Sequence, residues 1–502
     1  RWLSDWSSDV CSSDLNWTQL QNINNILTHS YYFNLSNDIG STTADYTRLA
    51  SVTANSGAGW NPFGNIYNSG FKGTFDGLGH TIDSLYINRS SSSYIGLFGL
   101  TDVGSSIANI GLTNVNITGG DRTGGLVGVS RGSITNAYVV GNIRGADFVG
   151  GLVGGNVGDI TNAYAMGSMD GVLLVGGLVG ANNNIITNAY ATASVHGTGY
   201  VGGLVGANTS TITNTYATGS LSGDTDFGGL VGYSEGGTAT NSFWDTQTTG
   251  QAISEGGVGK TTAEMKQLAT FSGWDIDAEG GSAKIWRIYE DSTSPLLHSF
   301  LTPLTVSATV SGSRVYDGTA DVTSLGGAQT YNTPPDSNLL GTLAIHTSSK
   351  NVATYSSGFI GSGRYSNQQG YDIIYNLSGS AQITPYDLVV TAPTVTKTYD
   401  GTTAASGSAV VGTLASGDSV NSAATIAFTD KNFGIGNRTV HATGLTIKDG
   451  SNADMSGNYT VTYIDNTFST INKAALNVTG LTASNKTYDA TTAATLGGTA
   501  AI

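Results

Sequence analysis

The sequence predicts an all-β protein: a parallel, right-handed β-helix (a solenoid) with 26-residue coils, followed by tandem antiparallel β-sandwich repeats. The phrase Gly-Gly-Leu-Val-Gly recurs every 26 residues, beginning at Gly124, Gly150, Gly176, Gly202 and Gly228. A fixed period of this size indicates stacked units rather than one globular core. Glycine makes up 71 of 502 residues, which disfavours helices. From Leu304 a longer repeat with alternating Val/Thr runs predicts small sandwiches.

Composition and charge exclude several classes of function. The formal net charge is −15 with only 20 Lys and Arg, which argues against a nucleic acid or an anionic membrane as partner. No run approaches 18 apolar residues, so no transmembrane helix is predicted. Cys11 is the single cysteine, so no intrachain disulfide is possible.

Residues 1–15 do not follow the sequence pattern of the rest of the chain. Their sequence, RWLSDWSSDVCSSDL, resembles translated sequencing adapter, and we interpret it as a non-native lead-in; the alternative is a native lead-in. In either case Cys11 is not interpreted as a functional thiol. Arg1 is not an initiator and Ile502 falls inside a repeat, so the chain is interpreted as a fragment.

Residues 16–120 are predicted to form irregular β-helix coils. Trp17–Ile23 indicates a short amphipathic turn and Tyr31–Leu35 a first strand. Ile95-Gly-Leu-Phe-Gly99 is an irregular version of the later phrase.

Residues 121–246 are predicted to form the regular coils, each with two or three strands of four to six residues joined by Gly/Asn turns. Stacking at about 4.8 Å would place like residues in columns. The Asn column would form hydrogen-bonded amide ladders, and the Tyr column an aromatic stack. Whether Leu126 or Val127 faces the core is left open. The predicted columns are Leu126, Leu152, Leu178, Leu204 and Leu230; Ile134, Ile160, Ile186 and Ile212; Asn136, Asn162, Asn188, Asn214 and Asn241; Tyr138, Tyr164, Tyr190, Tyr216 and Phe243.

Residues 247–303 are predicted to cap the open end of the stack, which would otherwise offer free strand edges. Thr261 and Glu264 form a capping-box pattern, so a short helix is predicted over 261–268. Trp274, Trp286 and Tyr289 would seal the last coil. Sandwiches are then predicted over 304–387 and 388–475, with the truncated start of a third at 476–502.

Chemistry-bearing patterns are few, and we predict no catalytic residue, metal site or cofactor. Ser130 and Ser234 match G-x-S-x-G, but Asn156, Asn182 and Asn208 occupy the equivalent positions, which indicates a turn rather than a nucleophile elbow. The Asn-x-Ser/Thr triplets at Asn116 and Asn458 are expected by chance in an Asn/Thr-rich chain. The six histidines are scattered singly, at positions 29, 80, 196, 298, 346 and 441.

Stacked acidic residues are candidates for a polysaccharide-cleaving or calcium site. Asp121 and Asp147 stack, but Leu173, Gly199 and Thr225 follow them, so we interpret them as solvated loop carboxylates. The Tyr-Asp-Gly-Thr phrases begin at Tyr316 and Tyr399, and the third, at Tyr488, reads Tyr-Asp-Ala-Thr. They predict turns in which Asp accepts backbone N–H bonds and Gly takes positive φ.

The repeated phrases resemble known families. The 26-residue unit resembles the GLUG motif and the Tyr-Asp-Gly units resemble YDG-type sandwich repeats, a combination similar to bacterial surface proteins of the filamentous haemagglutinin type. The resemblance implies a non-catalytic secreted or cell-surface adhesin, associated with the outer membrane, that binds host or bacterial surface glycans or proteins and uses an outer-membrane secretion partner. Two alternatives stay open: a polysaccharide-acting or peptidase-associated protein whose catalytic part lies outside this chain, and a purely structural matrix component.

Overall fold

The computed structural model describes residues 16–27, 29–65 and 69–502, and the lead-in at 1–15, with Cys11, lies outside the described residues. These residues form two compact units. The first runs to Thr305 and includes Thr333–Gly341 and Tyr365–Ile374; the second comprises Val306–Asn332, Thr342–Arg364 and Tyr375–Ile502. The predicted all-β fold is confirmed. The domain boundaries drawn from the sequence stay predictions.

Three parallel sheets form the β-helix of the first unit, and each regular coil contributes strands to all three. The first sheet contains Tyr32–Asn34, Thr74–Asp76, Thr81–Asp83, Tyr86–Asn88, Ser106–Thr118, Ser133–Arg144, Ile160–Asp170, Ile186–Ala191, Ser194–Gly197, Thr211–Ala217, Leu221–Gly223, Thr238–Thr240, Phe243–Asp245 and Val258–Lys260. The second contains Thr123–Gly124, Asp147–Gly150, Leu173–Gly176, Gly199–Gly202 and Phe227–Gly228. The third contains Phe98–Leu100, Val127–Ser130, Val153–Asn156, Val179–Asn182, Val205–Asn208 and Val231–Ser234.

Like residues lie over like residues in successive coils, as the period predicts. Ile160 pairs in register with Ile134 on one side and Ile186 on the other. The Leu126 N–H donates to the Leu152 carbonyl at 3.0 Å. Leu126 and Val127 are both fully buried in the same core, because the chain bends between the second and third sheets at this point. The strands are less uniform than predicted, since Ser133–Arg144 is 12 residues long.

At each glycine of the repeated phrase, a side chain would collide with neighbouring atoms. A Cβ on Gly150, the first glycine, would lie 2.1 Å from the Val153 carbonyl oxygen of its own coil. On Gly151 it would lie 2.4 Å from the Gly177 carbonyl oxygen of the next coil, and on Gly154 2.7 Å from that of Gly128 in the preceding one. The phrase is therefore the corner at which the backbone turns and neighbouring coils approach most closely.

The predicted asparagine ladder is present only in part, because Asn162 Oδ1 and Asn214 Oδ1 accept no bond from the next asparagine. The same positions also set the backbone conformation. The Asn162 amide donates to Asn136 at 3.0 Å, and Asn136 donates to Asn109 at 3.0 Å. These residues all have positive φ, with Asn162 at 52°. Asparagine enters the left-handed region more readily than other non-glycine residues, so one side chain serves both the bend and the ladder. Positive φ values are found at Asn109, Asn136, Asn162, Asn188, Asn214 and Asn241.

Replacing Asn162 by alanine should cost about 2–3 kcal/mol, because left-handed strain of about 1–2 kcal/mol is added to a lost hydrogen bond of about 1 kcal/mol. Asn162→Gly should lose only about 1 kcal/mol, since glycine keeps the positive φ without strain. All seven tryptophans precede Ile288, so tryptophan fluorescence in urea reports on the first unit. Equal midpoints for the two variants would contradict the backbone role of this column.

The predicted helix over 261–268 is wrong. The capping-box bonds form, with Thr261 N–H donating to Glu264 at 2.8 Å, but the segment contains only the 3₁₀ turns Glu264–Lys266 and Leu268–Phe271. Capping residues satisfy helix ends but do not supply an apolar helical face. The helices of the first unit are short: α-helices Trp17–Gln21, Tyr46–Leu49 and Thr246–Thr249, and 3₁₀ turns Asn22–Asn25, Ala54–Gly57, Glu264–Lys266, Leu268–Phe271 and His298–Phe300.

Backbone of the following segment pairs with the strand edges at the end of the stack, and Trp274 is the one of the three predicted bulky residues that contacts the last coil. Gly229 N–H donates to the Ile253 carbonyl at 2.9 Å, and Glu255 N–H donates to Val231 at 3.1 Å. The Trp274 ring packs against Phe243 and its indole N–H donates to the Asn241 carbonyl at 2.9 Å. Trp286 packs against Tyr190 and Tyr216 of the tyrosine column, and Tyr289 donates to the Tyr371 carbonyl at 2.6 Å. A small sheet of Ile276–Asp277, Trp286–Arg287 and Leu296–Leu297 holds this flanking segment.

The second unit contains most of the first sandwich repeat and all of the second. The strands of the first repeat are Thr302–Val315, Thr330–Tyr331, Leu339–His346, Ala353–Tyr355, Ile360–Ser366 and Tyr371–Thr384. Those of the second are Tyr386–Thr391, Thr396–Thr398, Val410–Val411, Asp418–Ser422, Thr425–Phe428, Gly434–Thr443, Thr446–Asp449, Tyr459–Ile464 and Asn466–Asn472. Most pairs are antiparallel as predicted, but Tyr386–Thr391 pairs in parallel with Tyr459–Ile464, and Thr396–Thr398 pairs in parallel with Asn466–Asn472. The 3₁₀ turns are Thr323–Leu325 and Ser456–Asn458, and an exposed hairpin, Thr479–Ala483 with Leu496–Ala501, begins the third repeat.

Candidate functional site

Four tyrosine rings stack along one flank of the β-helix. The ring centroids of Tyr138 and Tyr164 are 4.8 Å apart with an interplanar angle of 2°, and Tyr190 and Tyr216 repeat this geometry. Parallel pairing in register places equivalent side chains at the strand spacing of about 4.8 Å. The period of 26 therefore builds an aromatic column in addition to the core.

The tyrosine hydroxyls are buried, and two of them have clear partners. Tyr190 donates to Gln368 Oε1 at 3.0 Å and Tyr216 to the Pro295 carbonyl at 2.7 Å. Burial raises the pKa of Tyr190 and Tyr216 well above the usual value. Burial and, secondarily, the Asp38 charge raise the pKa of Tyr138 to about 12. The column is therefore neutral at physiological pH.

The column ends at Tyr138, where a cleft opens. Gly111, in the preceding coil, pairs with Tyr138. A Cβ on Gly111 would lie 2.1 Å from Tyr138 Cζ, so the Tyr138 ring fits only because residue 111 has no side chain. The adjoining cleft has a volume of about 700 Å³. It is lined by Leu78, Gly79, Asn109, Ile110, Gly111, Asn136, Tyr138, Ser299, Phe300, Leu301, Thr302 and Gln369.

Aromatic surface and amide groups converge in this cleft. Phe300 lies edge-on to Tyr138 and Tyr164, with centroids 5.3 and 5.2 Å away. The amide ladder ends here as well, because Asn109 donates to Asp76 Oδ1 at 3.0 Å. The lining thus combines two aromatic rings with a larger polar surface, so a small neutral ligand that is itself polar suits it best. The sequence indicated the Tyr and Asn columns but not Phe300 or Gln369, which are brought to the cleft by distant segments.

The serine candidates occupy structural positions. Ser130 is fully buried and donates to the Gly132 carbonyl at 3.0 Å. Ser234 donates to the carbonyls of Asn208 and Gly237. The asparagines at the equivalent positions form a second buried ladder, in which Asn156 donates to Asn182 and Asn182 to Asn208, both at 2.8 Å. The position shared by Ser130, Ser234 and these asparagines is therefore a structural one, at which a small polar side chain makes hydrogen bonds within the stack.

The histidines lie apart from one another. His80 contacts Asp38 at 3.3 Å, His196 contacts Ser222 at 3.2 Å, and His346 contacts Ser362 at 3.2 Å. His298 lies 3.3 Å from Asp372, which is buried with Arg287 at 3.2 Å. His29 stacks on Tyr31, and His441 contacts Asp465. Within residues 16–27, 29–65 and 69–502, no three His, Cys, Asp or Glu side chains group as a metal ion would require.

The stacked carboxylates Asp121 and Asp147 are half-buried at coil edges, where Asp147 accepts the Leu173 N–H at 3.2 Å. Asn116 is exposed, whereas Asn458 is buried and hydrogen-bonded to Asn351. Neither the two aspartates nor the two asparagines lie together with other candidate site residues. Across the described part of the chain, no helix is both long and apolar enough to cross a bilayer.

The Tyr-Asp-Gly-Thr phrases form the turns expected of them. Asp400 accepts the Thr402 N–H and hydroxyl, both at 2.9 Å, and Gly401 has a φ of 79°. The third copy keeps this geometry with Ala490 at a φ of 60°. A cation three residues before each aspartate completes the turn, a signal that the sequence analysis missed. These cations are Arg314, Lys397 and Lys486.

Asp400 should titrate with a pKa of about 2, because of the Lys397 hydrogen bond first and the Thr402 bonds second. Since this lies below the ordinary value of about 3.9, the contribution of Asp400 to stability is present above pH about 4 and is lost as the pH falls through about 2. Lys397→Met should raise the pKa of Asp400 in a carbon-13 NMR titration. Lys473→Met is the matched control, and identical titrations of the two variants would contradict the prediction.

The fold and the repeats define a repetitive all-β protein built of a parallel β-helix and small β-sandwiches. Residues 197–222 match the model of the GLUG motif, and residues 384–467 match the model of the YDG domain. These are the two families that the repeats resemble.

Two relatives and one solved structure are similar to parts of the chain. It is 37% identical over 103 residues to Halomucin of Haloquadratum walsbyi, covering 20% of this chain and 1% of that protein. It is 33% identical over 123 residues to a putative Gly-rich membrane protein of Evansella cellulosilytica, covering 24% of this chain and 13% of that protein. A putative immunoglobulin A1 protease from Bacteroides ovatus aligns with a TM-score of 0.42 and 19% identity, over 57% of this chain and 91% of the other.

Proposed function

We propose that the chain is a non-catalytic part of a bacterial cell-surface or secreted attachment protein. The β-helix presents the binding surface, and the sandwich repeats act as spacers. The GLUG and YDG modules support a surface protein, as does the name of the Gly-rich membrane relative. Export through an outer-membrane secretion partner is part of the same proposal.

The cleft at the end of the tyrosine column is the observation that carries this proposal. Its walls combine the rings of Tyr138 and Phe300 with the amides of Asn109, Asn136 and Gln369. A neutral saccharide offers hydroxyls to amides and apolar ring faces to aromatic side chains. A single open cleft of this kind binds weakly, so attachment gains strength when many copies are displayed together.

A glycan array with the full chain tests the proposal. We expect saturable binding to a subset of neutral saccharides. Ser299→Arg, which places a long side chain in the cleft, should abolish this binding. Ser194→Arg is the matched control, because Ser194 is exposed on a coil far from the lining residues. Absence of binding to any glycan or cell surface, or equal binding by both variants, would overturn the proposal.

A further inference from the structure

The two complete sandwich repeats are joined by a contact of defined composition. We call Tyr316, Gly318 and Lys350–Val352 of the first repeat the socket. The plug is formed by Ala415–Asp418, Asp449 and Asn458–Tyr459 of the second repeat. Both parts belong to the second compact unit.

The plug packs against Tyr316 and Gly318 of the Tyr-Asp-Gly turn in the first repeat, whereas Asp317 of the same turn is exposed. Tyr316 is 1% exposed and donates to Asp418 Oδ2 at 2.9 Å. Tyr459 donates to the same oxygen at 2.7 Å. A Cβ on Gly318 would lie 2.1 Å from the Ser416 carbonyl oxygen, so the turn accepts the plug only because this residue has no side chain.

The rest of the socket supplies charge and amide contacts. The Lys350 ammonium lies 3.0 Å from Asp449 and 3.8 Å from Asp418. Asn458 donates to Asn351 Oδ1 at 3.0 Å and accepts the Val352 N–H at 2.8 Å. Opposite charges and paired amides fix the register of the contact.

The second repeat carries the same socket in an open state. Tyr399 and Gly401 correspond to Tyr316 and Gly318, and Lys431-Asn-Phe433 corresponds to Lys350-Asn-Val352. Tyr399 is 41% exposed, Phe433 is 43% exposed, and a Cβ on Gly401 would have nothing within 4 Å. A cleft of about 390 Å³ is lined by Tyr399, Asn432, Phe433, Lys473, Ala474, Ala475 and Leu476.

The first repeat also has a plug-like element. The Asp336 N–H donates to Tyr371 Oη at 2.9 Å, as the Ala415 N–H donates to Tyr459 Oη at 3.0 Å. These residues lie in Thr333–Gly341 and Tyr365–Ile374, the two segments of the first repeat that belong to the preceding compact unit.

We propose that the socket of the second repeat binds the plug of a third YDG-type repeat, the one that begins at Leu476. Leu476 lines the open cleft, so the third repeat starts beside its docking site. Lys431 is exposed and matches the acidic pair of the plug as Lys350 does. Successive repeats then lock into a spacer with fixed joints instead of a flexible string.

An extended chain supplies the missing plug. Asp489 lies 89 residues after Asp400, so Ile502 corresponds to Thr413, and residues 414–475 appended after Ile502 complete the third repeat. We expect amide hydrogen exchange at residues 399–403 and 430–436 to slow at least tenfold relative to the 502-residue chain. Unchanged exchange, in a chain whose appended strands are themselves protected, would overturn the proposal.

A matched pair of variants of the extended chain isolates the socket. Gly401→Ala should abolish the added protection, because its Cβ would meet the incoming carbonyl as it would at Gly318. Gly444→Ala also places alanine at a positive φ, 78°, but outside the socket, and should retain the protection. Equal protection in the two variants would contradict the assigned docking site.

The existing joint gives a second test that needs no added sequence. In the 502-residue chain, Gly318→Ala should speed exchange at residues 316–319 and 350–352 at least tenfold, while Gly401→Ala leaves 350–352 unchanged. No effect of Gly318→Ala would overturn the socket-and-plug contact. Protection of residues 399–403 that rises with protein concentration would show a second copy of the chain in the socket, and would overturn the third repeat as occupant.

Discussion

Gly150→Ala is expected to destabilise the first compact unit by about 3 kcal/mol, the upper end of the range for overpacking. Its Cβ would lie 2.1 Å from the Val153 carbonyl oxygen and 2.7 Å from the Gly180 nitrogen. Both neighbours are backbone, so neither can rotate away as a side chain would. The corner between the second and third sheets must open, which disturbs the pairing of the adjacent coils.

Gly155→Ala is the matched control, five residues further along the same coil. The nearest atom to its Cβ would be Val129 Cγ2 at 3.5 Å, and the paired position in the next coil is already Ala181. We expect no loss, or a gain of about 0.4–1 kcal/mol from reduced freedom of the unfolded chain. Urea titrations followed by tryptophan fluorescence compare the two midpoints. Similar urea midpoints for the two variants would show that a steric clash of the side chain is not the reason for glycine at these positions.

Tyr190→Ala should cost about 3–5 kcal/mol, the range for removing a buried aromatic side chain. Tyr190 is 1% exposed and stacks between Tyr164 and Tyr216 at 5.0 and 4.8 Å. Its removal leaves a cavity in the column and removes one of the two hydrogen bonds that Gln368 Oε1 accepts, the other being from the Leu297 N–H. Tyr190→Phe keeps the ring and should lose only about 1 kcal/mol, the net value of the hydrogen bond to Gln368.

Tyr233→Ala controls for the loss of a tyrosine as such. Tyr233 is 40% exposed, and surface substitutions of this kind change stability by less than about 0.5 kcal/mol. The same urea titration measures all three variants. If Tyr190→Ala and Tyr233→Ala unfold at the same midpoint, the column is an incidental product of the period and contributes no stability.

The sequence alone determined the parallel stack, its period and the identity of its columns. A 26-residue repeat with in-register pairing leaves no freedom in which residue lies over which, so Tyr138 over Tyr164 and Leu126 over Leu152 follow from counting. The Tyr-Asp-Gly turns could also be predicted from the sequence, because the Asp hydrogen bonds and the positive φ of Gly both lie within the turn itself. The Asn column was identified for its ladder, but its left-handed backbone was missed, since a repeated asparagine is compatible with either role.

Only the tertiary structure decided what approaches these surfaces from far along the chain. Of the bulky residues predicted over the end of the stack, Trp274 contacts Phe243 of the last coil, whereas Trp286 flanks the tyrosine column at Tyr190 and Tyr216. Phe300 and Gln369 reach the cleft from segments that share no period with the coils. The burial of Tyr316 and the exposure of Tyr399 differ although their turns are the same in sequence, because burial depends on the neighbouring module and not on the turn. Periodic sequence specifies contacts between equivalent residues, whereas contacts between unlike segments are set by how the finished surfaces pack.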